Sequence, residues 1–185
     1  IKQHKSAPFL VLDYIEGKNL AELLQEGPLS FEEALTIVIE IAEALSFTHD
    51  RGILHRDLKP ANILLKSDTG TALLSDFGLA KRNTHNTLTQ STELLGTPLY
   101  MSPEQADNEQ DQLTAGSDIW SLGVILYELT TGQAPFQGSN LFELLGAILM
   151  AEPQAPRAIK PTLPPNLDLV ISKALNKDPK RRYQQ

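Results

Sequence analysis

The chain has 185 residues, 41% of them hydrophobic, which is enough for one domain with a sizeable core. Its formal net charge of -7 argues against nucleic acid as the main partner. No run approaches the roughly 18 apolar residues of a membrane span, and no signal-peptide pattern opens the sequence. Zero cysteines exclude disulfides and thiolate metal sites and are compatible with a cytoplasmic location. The sequence opens on Ile1 and stops at Arg181-Arg182-Tyr183-Gln184-Gln185, and it reads as a piece of a longer polypeptide.

In chain order, Phe9 to Ile15 is β-rich and apolar and predicts a strand ended by Glu16-Gly17. Asn19 caps a short predicted helix from Leu20 to Gln25, stopped by Gly27-Pro28. Ser30 with Glu33 makes a capping box ahead of a long helix. Its buried face is predicted at Phe31, Ala34, Leu35, Val38, Ile41, Ala42 and Leu45. Gly52 ends it after His49 and Arg51, cations that suit a helix C-terminus, and His49 reads as structural. Short apolar runs follow at Ile53-Leu54, Ile63 to Leu65 and Leu73-Leu74, the last two joined by a turn at Lys66 to Gly70. Residues 79–103 are a long polar stretch rich in Ser and Thr, and loops of that length are usually functional or disordered. A helix from Ser117 to Leu129, apolar nearly all round and closed by Gly132, predicts a buried centre. Helices at about Leu141 to Met150 and Leu167 to Leu175 flank a Pro-punctuated loop over 151–165.

The chemistry concentrates in His55-Arg56-Asp57-Leu58-Lys59-Pro60-Ala61-Asn62, a polar segment between apolar runs. Asp76-Phe77-Gly78 follows fourteen residues after Asn62. Phosphoryl transfer needs a carboxylate for the attacking hydroxyl's proton, a cation for the moving phosphate, and oxygen ligands for magnesium. Asp57, Lys59, Asn62 and Asp76 can fill those roles. Any one Asp or Lys among them, taken alone, reads as a solvated surface charge.

Taken together, His55-Arg56-Asp57 to Asn62, Asp76-Phe77-Gly78 and Ser102-Pro103-Glu104 resemble the ordered motifs of protein kinases, with Ser102 in place of the family's Ala. The resemblance spans nearly the whole chain and looks most like the eukaryotic-like kinases of bacteria. It implies an α+β, protein-kinase-like fold: mainly the α-helical large lobe, with a hinge strand and short catalytic-loop strands. Residues 1–17 would be the end of the small lobe and the hinge, and 18–185 a large lobe truncated at its C-terminus. The resemblance further implies ATP and magnesium (or manganese) as cofactors. Asp57 would be the catalytic base, Lys59 would contact the γ-phosphate, and Asn62 and Asp76 would be metal ligands. Leu12, Asp13, Ile15, Asn19 and Leu64 would surround the nucleotide.

Arg56 would pair with a phosphate on the 79–103 segment, with Thr89, Ser91 and Thr92 as the candidate acceptors. Lys59 and Thr97 resemble the serine/threonine branch, so the implied partners are proteins with Ser or Thr acceptors. His55 and Phe77 would pack together, Asp118 would support the catalytic loop from beneath, and Glu104 would pair with Arg182. The family's Gly-rich loop, strand Lys and helical Glu do not occur in residues 1–185, so a small lobe of the same polypeptide is an expected partner and the isolated chain is expected to be inactive. The alternative expectation is a non-catalytic, kinase-like scaffold, against which the intact Asp57 and Asp76 count.

Overall fold

A computed structural model describes residues 2–4, 7–9, 12–27, 29–77, 98–107 and 113–184. Strands β1 (Lys2–His4) and β2 (Ala7–Phe9) pair antiparallel, with Lys2 opposite Phe9. The strand predicted over Phe9 to Ile15 needs correction. Phe9 ends β2, residues 10–11 lie outside the described residues, and residues 12–16 are irregular. An extended segment needs a neighbour for its backbone groups, and among the described residues β1 supplies one only to residues 7–9.

A strand the sequence does not announce, β3 (Gly17–Asn19), pairs antiparallel with β4 (Ile63–Lys66), which in turn pairs with β5 (Ala72–Leu74). A Cβ on Gly17 would overlap the carbonyl of Leu65, so this close pairing requires glycine. The register sets Asn19 opposite Leu64 and Ile63 opposite Leu74.

Helix α1 (Leu20–Glu26) starts on a reciprocal capping box. Asn19 Oδ1 accepts from the Glu22 amide, and the Glu22 carboxylate accepts from the Asn19 amide, each at 2.9 Å. Helix α2 (Phe31–His49) starts the same way on Ser30 and Glu33. Its buried positions are Ala34, Ile37, Val38, Ile41 and Leu45. Leu35, predicted on that face, is instead 37% exposed, and Ile37 takes its place because the burying stripe follows 34, 37, 38 and 41.

Helices α3 (Pro103–Ala106) and α4 (Ala115–Thr131) follow, α4 capped by Thr114 and closed by Gly132 in the left-handed region at φ 79°. Nearly every side chain of α4 is buried, Trp120, Val124 and Ile125 completely, and it packs on α2 from one side. The remaining helices are α5 (Leu141–Met150), α6 (Pro156–Ile159) within the predicted loop, and α7 (Pro165–Ala174), which packs on α4. Full burial of each large apolar side chain is worth roughly 1.5–3 kcal/mol, so α4 is the rigid member from which the functional loop hangs.

Candidate active site

The loop between α2 and β4 is held from below by one carboxylate. Asp118, on the first turn of α4 and 1% exposed, accepts hydrogen bonds from the His55 amide (Oδ2, 2.8 Å), the Arg56 amide (Oδ1, 2.8 Å) and His49 Nε2 (Oδ2, 2.8 Å). A buried carboxylate without such donors would be costly. The bonds also pin an unfavourable backbone: Arg56 has φ 66°, a left-handed conformation worth about 1–3 kcal/mol of strain in a non-glycine residue. His49, which the sequence places only on the apolar stripe of α2, thus reaches the same acceptor as the loop.

Above this anchor, Lys59 Nζ lies 3.1 Å from Asp57 Oδ2, both side chains about a quarter exposed. The Asn62 amide nitrogen donates to the Asp57 carbonyl at 2.8 Å and approaches Asp57 Oδ2 at 3.4 Å. Pro60 opens a single 3-10 turn, Pro60–Asn62, which turns Asn62 back toward Asp57. The nitrogen edge of the amide is thereby committed, and among the described residues its oxygen accepts no hydrogen bond.

Ser75 joins Asn62 to Asp76. Its amide and hydroxyl both donate to the Asn62 carbonyl, at 2.9 and 3.2 Å, and its Oγ lies 3.4 Å from Asp76 Oδ2. Asp76 is exposed and has φ 58°, the second strained backbone of the site. His55 is fully buried: Nε2 donates to the Ser75 carbonyl at 2.9 Å, while Nδ1 accepts from the Asp57 amide at 3.4 Å. The two contacts define its tautomer. Its ring packs on Phe77 with centroids 4.7 Å apart, as the sequence predicts.

The segment from 98 to 107 meets the loop from the other side. Gln105 Nε2 donates to the Arg56 carbonyl at 2.8 Å, while its Oε1 accepts from the Ser102 amide at 3.0 Å. Sequence reasoning missed Gln105, although a Ser followed three residues later by Gln is a legible helix-start signature. Behind it, the Tyr100 hydroxyl donates to Glu128 at 2.7 Å. Burial raises the pKa of both groups, so the phenol keeps its proton. The same segment is fastened by Arg182, whose guanidinium makes a two-pronged contact with Glu104 at 2.8 and 2.9 Å. Burial pushes Glu104 up, but hydrogen bonds from Arg182 and Ser117 and the charge of Arg182 outweigh it and leave the carboxyl below its ordinary range.

Of the nucleotide-pocket candidates, Asn19 and Leu64 face each other across β3 and β4. Leu12, 72% exposed, and Asp13 and Ile15 lie on the irregular 12–16 segment, which the Ser67 amide ties to the sheet through the Glu16 carbonyl at 2.9 Å. Thr89, Ser91, Thr92 and Thr97 lie outside the described residues. The assembled groups offer a carboxylate beside an ammonium, and an asparagine whose backbone carbonyl is linked through Ser75 to a second carboxylate. The all-oxygen pair of Asn62 and Asp76 fits magnesium, which takes one or two carboxylates and completes its shell with water and substrate phosphates.

Comparison with known proteins matches this geometry to a family. The model described as protein kinase domain matches residues 1–184. A probable serine/threonine-protein kinase of Streptomyces coelicolor is 42% identical over 97% of this chain. The serine/threonine-protein kinase PknB of Mycobacterium tuberculosis is 39% identical over 96%, and a probable serine/threonine-protein kinase of Clostridium perfringens is 37% identical over 95%. The chain spans 27%, 28% and 25% of the lengths of these three relatives. With its motifs meeting around one anchored loop and the family match running almost end to end, this chain belongs to the protein kinase domain family.

Proposed function

We propose that the protein carrying this chain is a serine/threonine protein kinase, moving the γ-phosphoryl group of ATP to a Ser or Thr hydroxyl of a protein. The observation that supports it most is the joining of Asp57, Lys59, Asn62 and Asp76 through Ser75 and the Asp57 carbonyl. In this reading the Asp57 carboxylate orients the acceptor hydroxyl and takes its proton, while Lys59 steadies the transferred phosphate. Asn62 Oδ1 and the Asp76 carboxylate would hold magnesium, which would supply positive charge for the phosphate oxygens. Little covalent work falls to the protein in such a transfer, so holding these groups rigid is its main contribution. Leu12, Asp13, Ile15, Asn19 and Leu64 form the large-lobe side of the nucleotide pocket, residues 1–17 being the hinge side and 18–185 the large lobe.

Regulation follows the same chemistry. Arg56 receives a phosphate carried by Thr89, Ser91 or Thr92, a charge-assisted pairing that orders the segment. Thr97 helps select Ser and Thr acceptors. No helix among the described residues is long and apolar enough to cross a membrane, and the proposed location of this domain is the cytoplasm.

The test is magnesium-dependent transfer from labelled ATP by the intact protein beside its Asp57→Asn variant. Incorporation into Ser or Thr that disappears in the variant supports the kinase reading; mapping the label tests Thr89, Ser91 and Thr92. No transfer by the intact protein, after activating treatment and with generic acceptors, sinks it in favour of a scaffold. Residues 1–185 alone are expected to transfer phosphate barely, since the family's Gly-rich loop, strand Lys and helical Glu do not occur in them.

A further inference from the structure

The peptide unit that joins Arg56 to Asp57 is gripped at both of its polar ends. Its N–H, the Asp57 amide, reaches His55 Nδ1 at 3.4 Å, and its carbonyl, that of Arg56, accepts from Gln105 Nε2 at 2.8 Å. The peptide before it is held separately, through the bond from the Arg56 amide to Asp118. Arg56 needs both restraints. At φ 66° it sits where a side chain is strained, and leaving that region means rotating the peptides on either side of it.

The orientation of the Gln105 amide is itself fixed. Oε1 accepts from the Ser102 amide at 3.0 Å and from the Ser102 hydroxyl at 3.3 Å, which leaves Nε2 to face the Arg56 carbonyl. The reverse orientation would set donor against donor and oxygen against oxygen. Helix α3, which carries Gln105, is fastened next door, where the buried Glu104 takes bonds from Ser117 and Arg182.

We propose that Gln105 is a positioning residue for Asp57: it locks the Arg56–Asp57 peptide, so the Asp57 carboxylate is aligned only while α3 is seated. The proposal rests on the reading of Asp57 as the base of the transfer. Gln105 acts on the backbone beside that base and not on the reacting atoms. Seating of the segment that follows Thr97 is thereby felt at Asp57 through one side-chain amide, and small misplacements of a reacting group cost rate steeply.

The experiment compares Gln105→Glu and Gln105→Met with the wild type in the intact protein, using ATP, magnesium and a Ser-containing peptide. Gln105→Glu keeps an acceptor for the Ser102 amide, so the start of α3 is preserved and the melting temperature should stay within about 2 °C. Near neutral pH its carboxylate has no hydrogen to donate and repels the Arg56 carbonyl. Its kcat should fall about tenfold or more, with KM for ATP changed less than about twofold. Between about pH 8 and about pH 5 the introduced carboxyl gains a proton and with it a donor, so the ratio of its kcat to that of the wild type should rise. The charged groups bordering the same cavity, Arg56 and Asp57, are common to both proteins and cancel in the ratio to first order. Gln105→Met has no donor at any pH, and its ratio should be low and flat.

Hydrogen exchange over residues 55–58 reads the same peptide without any turnover. Near neutral pH it should be several-fold faster in both variants, because a peptide released from Gln105 turns the Asp57 amide away from His55. A Gln105→Met kcat within about twofold of the wild type overturns the proposal, as does a Gln105→Glu ratio that stays flat with pH. Absence of transfer by the wild type would sink the kinase reading on its own. Exchange then still decides the lock: unchanged protection in both variants overturns it, and faster exchange upholds it.

Discussion

His49 and Asp118, sixty-nine residues apart, meet through a 2.8 Å hydrogen bond between imidazole Nε2 and carboxylate Oδ2. That oxygen also accepts the His55 amide, so the C-terminal turn of α2 and the loop that follows it share one acceptor on α4.

Replacing Asp118 by Asn should test how far this acceptor governs the loop. An amide offers one oxygen where three donors converge, leaving at least one buried N–H unpaired at about 1–3 kcal/mol. Arg56 would lose part of what holds its left-handed backbone. The expected result is a folded protein whose kcat for peptide phosphorylation falls by at least tenfold, with KM for ATP little changed. His49→Ala should show the same trend more weakly, since the two backbone bonds remain.

Breaking the Glu104–Arg182 pair from one side leaves a buried charge without its partner. Glu104→Ala and Arg182→Ala should each destabilise by about 3–5 kcal/mol in denaturant unfolding. The Glu104→Gln, Arg182→Met double variant should recover part of that loss, because neither replacement is charged. If the single changes cost under about 1 kcal/mol, the pair does not fasten the segment.

The same pair sets an acid limit. Glu104 has its folded pKa held below its ordinary value, so its contribution is fully present above the unfolded value of 4.5 and is lost as pH falls through the folded one. Stability measured from pH 6 downward should therefore decline below about 4.5, and the slope should be shallower in Glu104→Gln. An identical slope in both proteins would assign the acid loss to other carboxylates.

Gly123 is the packing counterpart of these polar anchors. A Cβ there would lie 2.8 Å from the Ala174 Cβ and 3.1 Å from Leu175 Cδ2, where α4 crosses α7. Gly123→Val should force the two helices apart at a cost of about 1–3 kcal/mol, read as a lowered unfolding midpoint. Gly146, with nothing near its missing Cβ, is the control: Gly146→Ala should hold or raise stability.

If Asn62 and Asp76 hold magnesium as proposed, the two can be separated by the metal dependence of their variants. Asn62→Ala removes an amide oxygen and the bond to the Asp57 carbonyl, whereas Asp76→Asn keeps the shape and removes the charge. Asp76→Asn is expected to abolish transfer at any magnesium concentration. Asn62→Ala should leave a small activity that rises with added magnesium.

The sequence by itself determined the functional order of this protein. His55-Arg56-Asp57 to Asn62, Asp76-Phe77 and Pro103-Glu104 are local patterns, legible because their spacing along the chain carries the meaning. The cap at Asn19, the capping box at Ser30 and the all-apolar α4 were legible for the same reason: helix starts and buried faces are set within a few residues. Kinase resemblance then supplied two long-range contacts, Asp118 to the loop and Arg182 to Glu104, that no local pattern contains.

Only the tertiary structure decided what closes over greater distances. β3 exists because Gly17 can approach the Leu65 carbonyl, and of the strand predicted over Phe9 to Ile15, residues 12–15 are irregular among the described residues. Leu35 and Ile37 are both apolar, and the packing of α2 against α4 and β5 chose which was buried. Ser75, Gln105 and His49 are ordinary polar residues in the sequence. They became parts of the site when folding brought a carbonyl or a carboxylate within hydrogen-bond reach, and a buried polar group must take the partner that the packing offers.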